Sequence, residues 1–185
     1  MRDLPDGYSI TGVSLEDIPT IIAVDKAAAA LFAPTGLITP QALEEHVPAD
    51  VLEDAIPSSA VLAVRDAHGE VVGFALFQPR GLGIYLDQIS VHPDHGRKGL
   101  GRALMQRVIE TAEDSGHQRL SLSTFRDLPW NGPFYRSLGF KALKRDKLEP
   151  YMIEIEAAQR PHMDVTARCF MARKVRRPLF RRRRA

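Results

Sequence analysis

The sequence predicts a single α/β domain built on a mixed central sheet flanked by helices. Three observations lead there. Two β-rich runs, 60–65 (AVLAVR) and 71–77 (VVGFALF), are joined by the polar segment DAHGE, the pattern of an antiparallel hairpin. Strands and helices then alternate along the chain, as in layered α/β architectures. A hairpin followed by crossovers makes a sheet of mixed polarity, not a purely parallel one.

Each element has its own signal. Residues 8–13 (YSITGV) form a short first strand. Ser14, with Asp17 three positions on, caps a helix that runs through an apolar, alanine-rich segment to Phe32. Thr39-Pro40 opens a second helix, Thr as cap and Pro in the first helical position, which fades before Pro57. After the hairpin, Gly81 and Gly83 precede a third β-run, IYLDQISV, ending at Val91. From Leu100 to about Ser115, the apolar residues Leu100, Ala103, Leu104, Val108 and Ala112 recur at helical spacing. Residues 119–125 (RLSLSTF) alternate as a half-buried strand. A short helix around Pro133 to Leu138 is stopped by Gly139, and 165–175 (VTARCFMARKV) make a last strand.

Composition narrows the class. With 44% hydrophobic and 26% charged residues, the chain has an ordinary globular balance. The uninterrupted apolar runs, such as 21–24 and 27–32, fall short of a membrane span. The N-terminal MRDLPDGYSI carries acids at positions 3 and 6 and lacks the apolar core of a secretory leader. A single cysteine, Cys169, leaves no internal disulfide and fits a reducing compartment, so a cytoplasmic protein without membrane attachment is expected. The net charge of +2 is segregated. Eight of the 25 basic residues lie from Arg173 onward, leaving 17 against 23 acids, a formal −6, over residues 1–172. Nucleic acid is therefore not an expected partner of the body. At most it meets the tail 176–185 (RRPLFRRRRA), which reads as a basic, disordered extension of a domain spanning 1–175.

The chemistry concentrates in Val91 to Leu104, VHPDHGRKGLGRAL. A strand ends, a turn rich in glycine and cations follows, and an amphipathic helix begins. Helix N-termini present unpaired N–H groups and the positive end of the macrodipole, an anion site. Gly96, Gly99 and Gly101 let the backbone approach a phosphate, and Arg97, Lys98 and Arg102 add cationic side chains. The spacing G-x-x-G-x-G is neither the P-loop nor the dinucleotide order G-x-G-x-x-G. His92 and His95 stand three apart with no further ligand cluster, so no metal is expected.

Val91-x-Pro93 followed by GRKGLG resembles the acyl-CoA-binding motif of the GCN5-related N-acetyltransferase (GNAT) family, usually [RQ]-x-x-G-x-[GA]. Gly99 and Gly101 match it, while Gly96 stands where Arg or Gln is usual. A second block, STFRDLPWNGPFYRSLGF (123–140), resembles the family's fifth strand, its Asn-bearing loop and its Y-x-x-x-G-F helix end. Together the clear resemblance covers roughly residues 60–145.

The resemblance implies a GNAT fold and an N-acetyltransferase that moves an acetyl group from acetyl-CoA, its acyl-donor co-substrate, directly to a primary amine. It implies roles residue by residue. The backbone N–H at Val91 polarises the thioester carbonyl. Tyr135 protonates the leaving thiolate, and Asn131 hydrogen-bonds the cofactor or orders its loop. Gly96, Arg97, Lys98, Gly99, Gly101 and Arg102 hold the pyrophosphate. Asp87, four residues before Val91, takes the place where some members carry a glutamate base; it needs burial to raise its pKa from about 3.9. Cys169 has no evident base partner and reads as a core residue.

Between Ala27 and Val64 there is no Lys or Arg, yet Glu44, Glu45, Asp50, Glu53 and Asp54 fall in this region. An acidic rim of this kind would steer a cationic acceptor. A non-catalytic acyl-CoA-binding or regulatory module of the same fold is the alternative reading, and homodimer formation is left open.

Overall fold

The structure is a computed structural model, and it describes residues 4–175; the tail 176–185 lies outside the described residues. Seven strands form one sheet: β1 (Ser9–Gly12), β2 (Val61–Arg65), β3 (Val71–Arg80), β4 (Gly83–Val91), β5 (Arg119–Phe125), β6 (Lys141–Ala142) and β7 (Arg168–Lys174). Their spatial order is β1-β2-β3-β4-β5-β7-β6, and only the β4–β5 pair is parallel. The predicted mixed sheet is thus observed.

Helices cover both faces. On one face, α4 (Leu100–Asp114) seats Leu104, Met105, Val108 and Ile109 on the inward residues Ala75, Leu86 and Leu122. The short α5 (Gly132–Ser137) joins the same core through Tyr135. On the other face, α1 (Ile18–Ala29) packs Ile18, Ile21 and Val24 against Val61, Ala63 and Phe74, together with Leu52 of α3 (Ala49–Ala55). Burial on this scale contributes roughly 25 cal/mol per Å² of apolar surface, so these two cores dominate the fold's stability. Leu15–Thr35 as a whole has the length and composition to cross a membrane. In this fold its α1 portion instead lies on the sheet.

Three sequence readings change. The helix opened by Thr39-Pro40 is two helices. Thr39 Oγ1 does accept the Ala42 N–H at 3.2 Å, but α2 (Pro40–Leu43) ends after one turn. Pro48 denies a continuous helix its N–H and becomes the cap residue of α3. The first helix likewise tightens into a 3₁₀ turn at Ala30–Thr35, where Pro34 sits. A sixth helix, α6 (Pro150–Gln159), comes between β6 and β7 and was absent from the sequence reading. Only its Met152 is fully buried, against Tyr85 and Phe170, so its apolar periodicity is weak.

The α6–β7 connection reaches across the sheet to the segment before α2. Ile38 and Met163 form an antiparallel bridge, Thr39 N–H donates to His162 C=O at 2.9 Å, and Asp164 N–H donates to Leu37 C=O at 2.8 Å. His162 Nδ1 lies 3.3 Å from the Glu45 carboxylate. These bonds join the α6–β7 connection to the segment that leads into the acidic region.

Candidate active site

The site begins where two strands part. β4 and β5 pair through Ile84–Leu120, Tyr85–Ser121 and Leu86–Leu122 and then separate. The cause lies one strand away. Leu76 of β3 faces Gln88, but the next residue, Phe77, faces Leu86, leaving Asp87 as the extra residue of a β-bulge. A bulge bends its strand and re-aims the side chains beyond it. Beyond it, Ile89 and Val91 turn to the α4 face, while Gln88 and Ser90 turn to α1.

The bulge also places a backbone donor. His92 N–H donates to Val72 C=O at 2.9 Å, so Gly73 and Val91 are a non-hydrogen-bonded pair of the antiparallel ladder. The Val91 N–H therefore points away from β3, toward the gap that β5 has left.

The glycine-cation turn follows. Gly99 adopts φ +86° as the residue before α4, a left-handed conformation that glycine reaches without strain. Arg97 takes φ +57°, uncommon for a residue with a Cβ. The first intrahelical bond is Ala103 N–H to Gly99 C=O, leaving the N–H groups of Leu100, Gly101 and Arg102 free of helix partners. The three cations differ. Lys98 Nζ donates to the Tyr8 hydroxyl at 3.0 Å, and that hydroxyl is 2.9 Å from His95 Nδ1. Arg102 Nη2 donates to Ser137 Oγ of α5 at 2.7 Å, with the guanidinium over the Phe134 ring. Arg97 is exposed and has no protein partner among the described residues.

Asn131 and Tyr135 come from α5. Asn131 precedes the helix, and its side-chain Oδ1 is buried without a hydrogen-bond partner among the described residues. A buried acceptor left unsatisfied costs about 1–3 kcal/mol, so this atom is prepared for a donor the protein does not supply. Tyr135 is buried beside Phe134 and Phe140. Its hydroxyl makes no hydrogen bond among the described residues. Burial pushes its pKa well above 10, only partly offset by the nearby Arg168 charge, and keeps it a protonated phenol. Gly132, at the start of α5, is held against the Arg126 carbonyl so closely that a Cβ there would fall 2.0 Å from its oxygen.

Asp87 follows the last β4–β5 rung and is exposed. Desolvation by the surrounding protein raises its carboxyl to about 6, opposed by the Gln78 hydrogen bond and the charge of Arg80. Gln78 Nε2 donates to Asp87 Oδ1 at 2.9 Å. The result is a carboxylate of unusual basicity at the bulge.

Two further residues, outside those the sequence analysis singles out, shape the site. Asp25 of α1 is buried and accepts from Gln88 Nε2 at 2.7 Å, Ser90 Oγ at 2.8 Å and Val47 N–H at 3.0 Å, tying β4 to the acidic region after α2. Arg168 of β7 donates from Nε and Nη2 to Ser123 Oγ at 3.2 and 3.1 Å, with its guanidinium 4.7 Å from the Phe125 ring centroid. Ser123 is the first β5 residue past the last β4–β5 rung. The sequence signal for Arg168 was an arginine inside an apolar strand; the one for Asp25 was an acid in an apolar helix. Among the described residues no cluster of three or more metal-ligating side chains occurs. Cys169 is half-buried and burial raises its pKa, which makes it a poor nucleophile.

Comparisons with known proteins agree with this geometry. The family description "Acetyltransferase (GNAT) family" matches residues 31–140. A mycothiol acetyltransferase of Clavibacter sepedonicus is 28% identical over 140 residues, covering 76% of this chain and 45% of that one. The chain spans about half the length of the curated relatives it matches. Among solved structures, the PaiA N-acetyltransferase of Thermoplasma acidophilum in complex with coenzyme A superposes with a TM-score of 0.71 at 19% identity, over 90% of this chain and 98% of that one. The ribosomal-protein-S18-alanine N-acetyltransferase of Escherichia coli gives 0.65 at 18% identity, over 96% and 99%. A family match across more than half the chain, on a sheet that parts at its single parallel pair, makes this chain a member of the GNAT acetyltransferase family.

Proposed function

We propose that the chain is an N-acetyltransferase that moves an acetyl group from acetyl-CoA directly to a primary amine. The observation that supports the proposal is the parting of β4 and β5 just past Leu86 and Leu122, where the Val91 N–H points away from β3 and Asp87, a carboxylate of raised pKa, sits at the bulge; Tyr135 of α5 supplies a protonated phenol. The residues fit for the acyl donor are the N–H groups at the start of α4 that have no helix partner, the exposed Arg97 and the buried Asn131 Oδ1, the last two without a protein partner among the described residues. Acetyl-CoA supplies the activated acyl group as a thioester.

The chain's own residues divide the remaining work. Val91 N–H sits where it would donate to the acyl oxygen as negative charge grows there, a contribution from backbone dipole alone. Asp87 accepts the proton that the acceptor's ammonium must lose before its nitrogen can attack. With a pKa near 6 it is ionised at neutral pH yet more basic than an ordinary aspartate. Tyr135 holds a proton for the departing sulfur. Direct attack is favoured because Cys169, the single thiol, is protonated and half-buried.

The acceptor meets the site as an ammonium, and the acidic stretch from Glu44 to Asp54 is tied to the α6–β7 connection through Glu45 and His162. That rim suits a cationic amine in transit. A cytoplasmic location belongs to the same reading. Free-thiol release from acetyl-CoA, measured across amines, amino acids, peptides and polyamines, tests it. Acceptor-dependent release is expected; coenzyme A binding with no release from any amine would point to a binding module instead.

A further inference from the structure

A cavity of about 370 Å³ opens between β7 and α6, lined by Arg126, Arg145, Arg160 and Arg168 with one acid, Glu156. Arg145 and Arg160 both pair with Glu156. That leaves Arg126 and Arg168 with no carboxylate partner among the described residues. Arg126 is oriented by donating from Nη2 to the Arg168 carbonyl at 2.8 Å. Arg168 uses Nε and Nη2 on Ser123, and its Nη1 makes no hydrogen bond among the described residues. A half-buried guanidinium satisfied only by a neutral hydroxyl and a ring face is costly to keep charged, and burial does lower its pKa.

Its placement connects cavity and cleft. Arg168 lines the cavity and, through Ser123, holds the first β5 residue beyond the β4–β5 pairing. Ser123 is oriented from the far side by Gln159 of α6, whose Oε1 accepts at 3.4 Å. Asp87 is the bulge residue beyond the same last rung on β4. The charges of both Asp87 and Arg168 reach the Tyr85 phenol between them, raising and lowering its pKa respectively. Arg168, through Ser123, and Asp87 are thus held at the same end of the parted strand pair, each one residue beyond its last rung.

We infer that the acceptor carries a carboxylate as well as an amine, and that Arg168, supported by Arg126, binds this carboxylate while Asp87 faces the amine. A guanidinium is suited to the task because its fixed fork matches the two oxygens of a carboxylate. The acidic rim and the arginine pair then act on opposite ends of one zwitterion. The inference rests on the acyltransferase reading above.

The test compares amino acids and dipeptides with their C-terminal amides, in acetyl-CoA turnover and in calorimetric binding of the N-acetylated forms. The expected result is that free acids win over amides by roughly 10- to 150-fold, the range of a hydrogen bond to a charged group. Arg168→Gln should abolish that preference and Arg168→Lys keep part of it, with coenzyme A affinity and thermal unfolding near those of the unaltered chain. Should Arg168→Gln fail to fold, Arg126→Gln, at an exposed position, serves in its place with a smaller loss of preference. Absence of any acid-over-amide preference, in turnover and in binding alike, overturns the carboxylate inference. Amide turnover in that case leaves the acyltransferase reading standing, whereas failure to bind coenzyme A would remove that reading itself.

Discussion

Leu86 and Leu122 form the last rung of the β4–β5 ladder, and both point into the core beneath α4. Asp87 and Ser123 are the first residues beyond that rung on their strands. Past it the two strands no longer pair, although Ile89, Val91 and Phe125 still pack inward. Large-to-small change at a buried leucine costs about 2–5 kcal/mol, so Leu122→Ala should lower the unfolding midpoint and loosen the cleft together.

Asp87→Asn separates activity from stability. The carboxyl titrates near 6 in the fold against an ordinary 3.8, so the folded state holds this proton more tightly. Its contribution favours the fold at low pH and is lost as pH rises from 3.8 through about 6. At neutral pH the charged form opposes folding, and the asparagine variant should unfold no earlier than the unaltered chain. Its turnover should fall by roughly 10²- to 10⁴-fold, and the acid limb near pH 6 in kcat/KM should vanish. A retained limb would assign the base elsewhere.

Gln78→Ala probes the same group from its neighbour. Gln78 hydrogen-bonds the ionised carboxylate, so its loss should move the acid limb to higher pH while leaving the alkaline plateau nearly intact. A lower plateau with an unmoved limb would show that Gln78 acts on the acceptor and not through Asp87.

Tyr135→Phe removes a hydroxyl that has no hydrogen-bond partner among the described residues. Unfolding should change by less than about 1 kcal/mol, since packing volume is nearly conserved. Turnover should fall by roughly 10- to 10,000-fold, with coenzyme A binding retained. Turnover equal to that of the unaltered chain would exclude Tyr135 from proton transfer.

Asp25→Ala deletes a buried carboxylate holding three donors and should cost about 2–4 kcal/mol by leaving them unsatisfied. Because those donors belong to β4 and to Val47, acceptor KM should rise more than the coenzyme A dissociation constant. Equal effects on both would indicate general loosening.

Arg97→Ala and Lys98→Ala should differ although they are neighbours. Lys98 is engaged by Tyr8, whereas Arg97 is exposed without a protein partner among the described residues. Calorimetry should therefore show the larger loss of coenzyme A affinity for Arg97→Ala, and a larger loss for Lys98→Ala would reverse the assignment.

The legible parts of the fold were those with strong local signals. The hairpin at 60–77, the helix from Leu100 and the glycine-cation turn follow from alternation, helical spacing and backbone freedom. The helix α6 escaped because its apolar residues show little one-sided periodicity and only Met152 is deeply buried. Pro48 splits the second helix, a break that the proline itself announces. The role of Asp25 depends on partners 22 to 65 residues away in sequence, and that of Arg168 on one 45 residues away, which no local pattern encodes. The bulge at Asp87 arises from the register between β3 and β4, and so became visible only in the folded sheet.

The most direct test follows the acetyl group itself. Acetyl-CoA labelled in its acetyl carbons is incubated with the protein and an accepted amine, and the label is located by mass spectrometry. Direct transfer predicts label on the amine in step with thiol release, with none retained by the protein in the absence of acceptor. Label held on Cys169, or released only as acetate, would contradict the account.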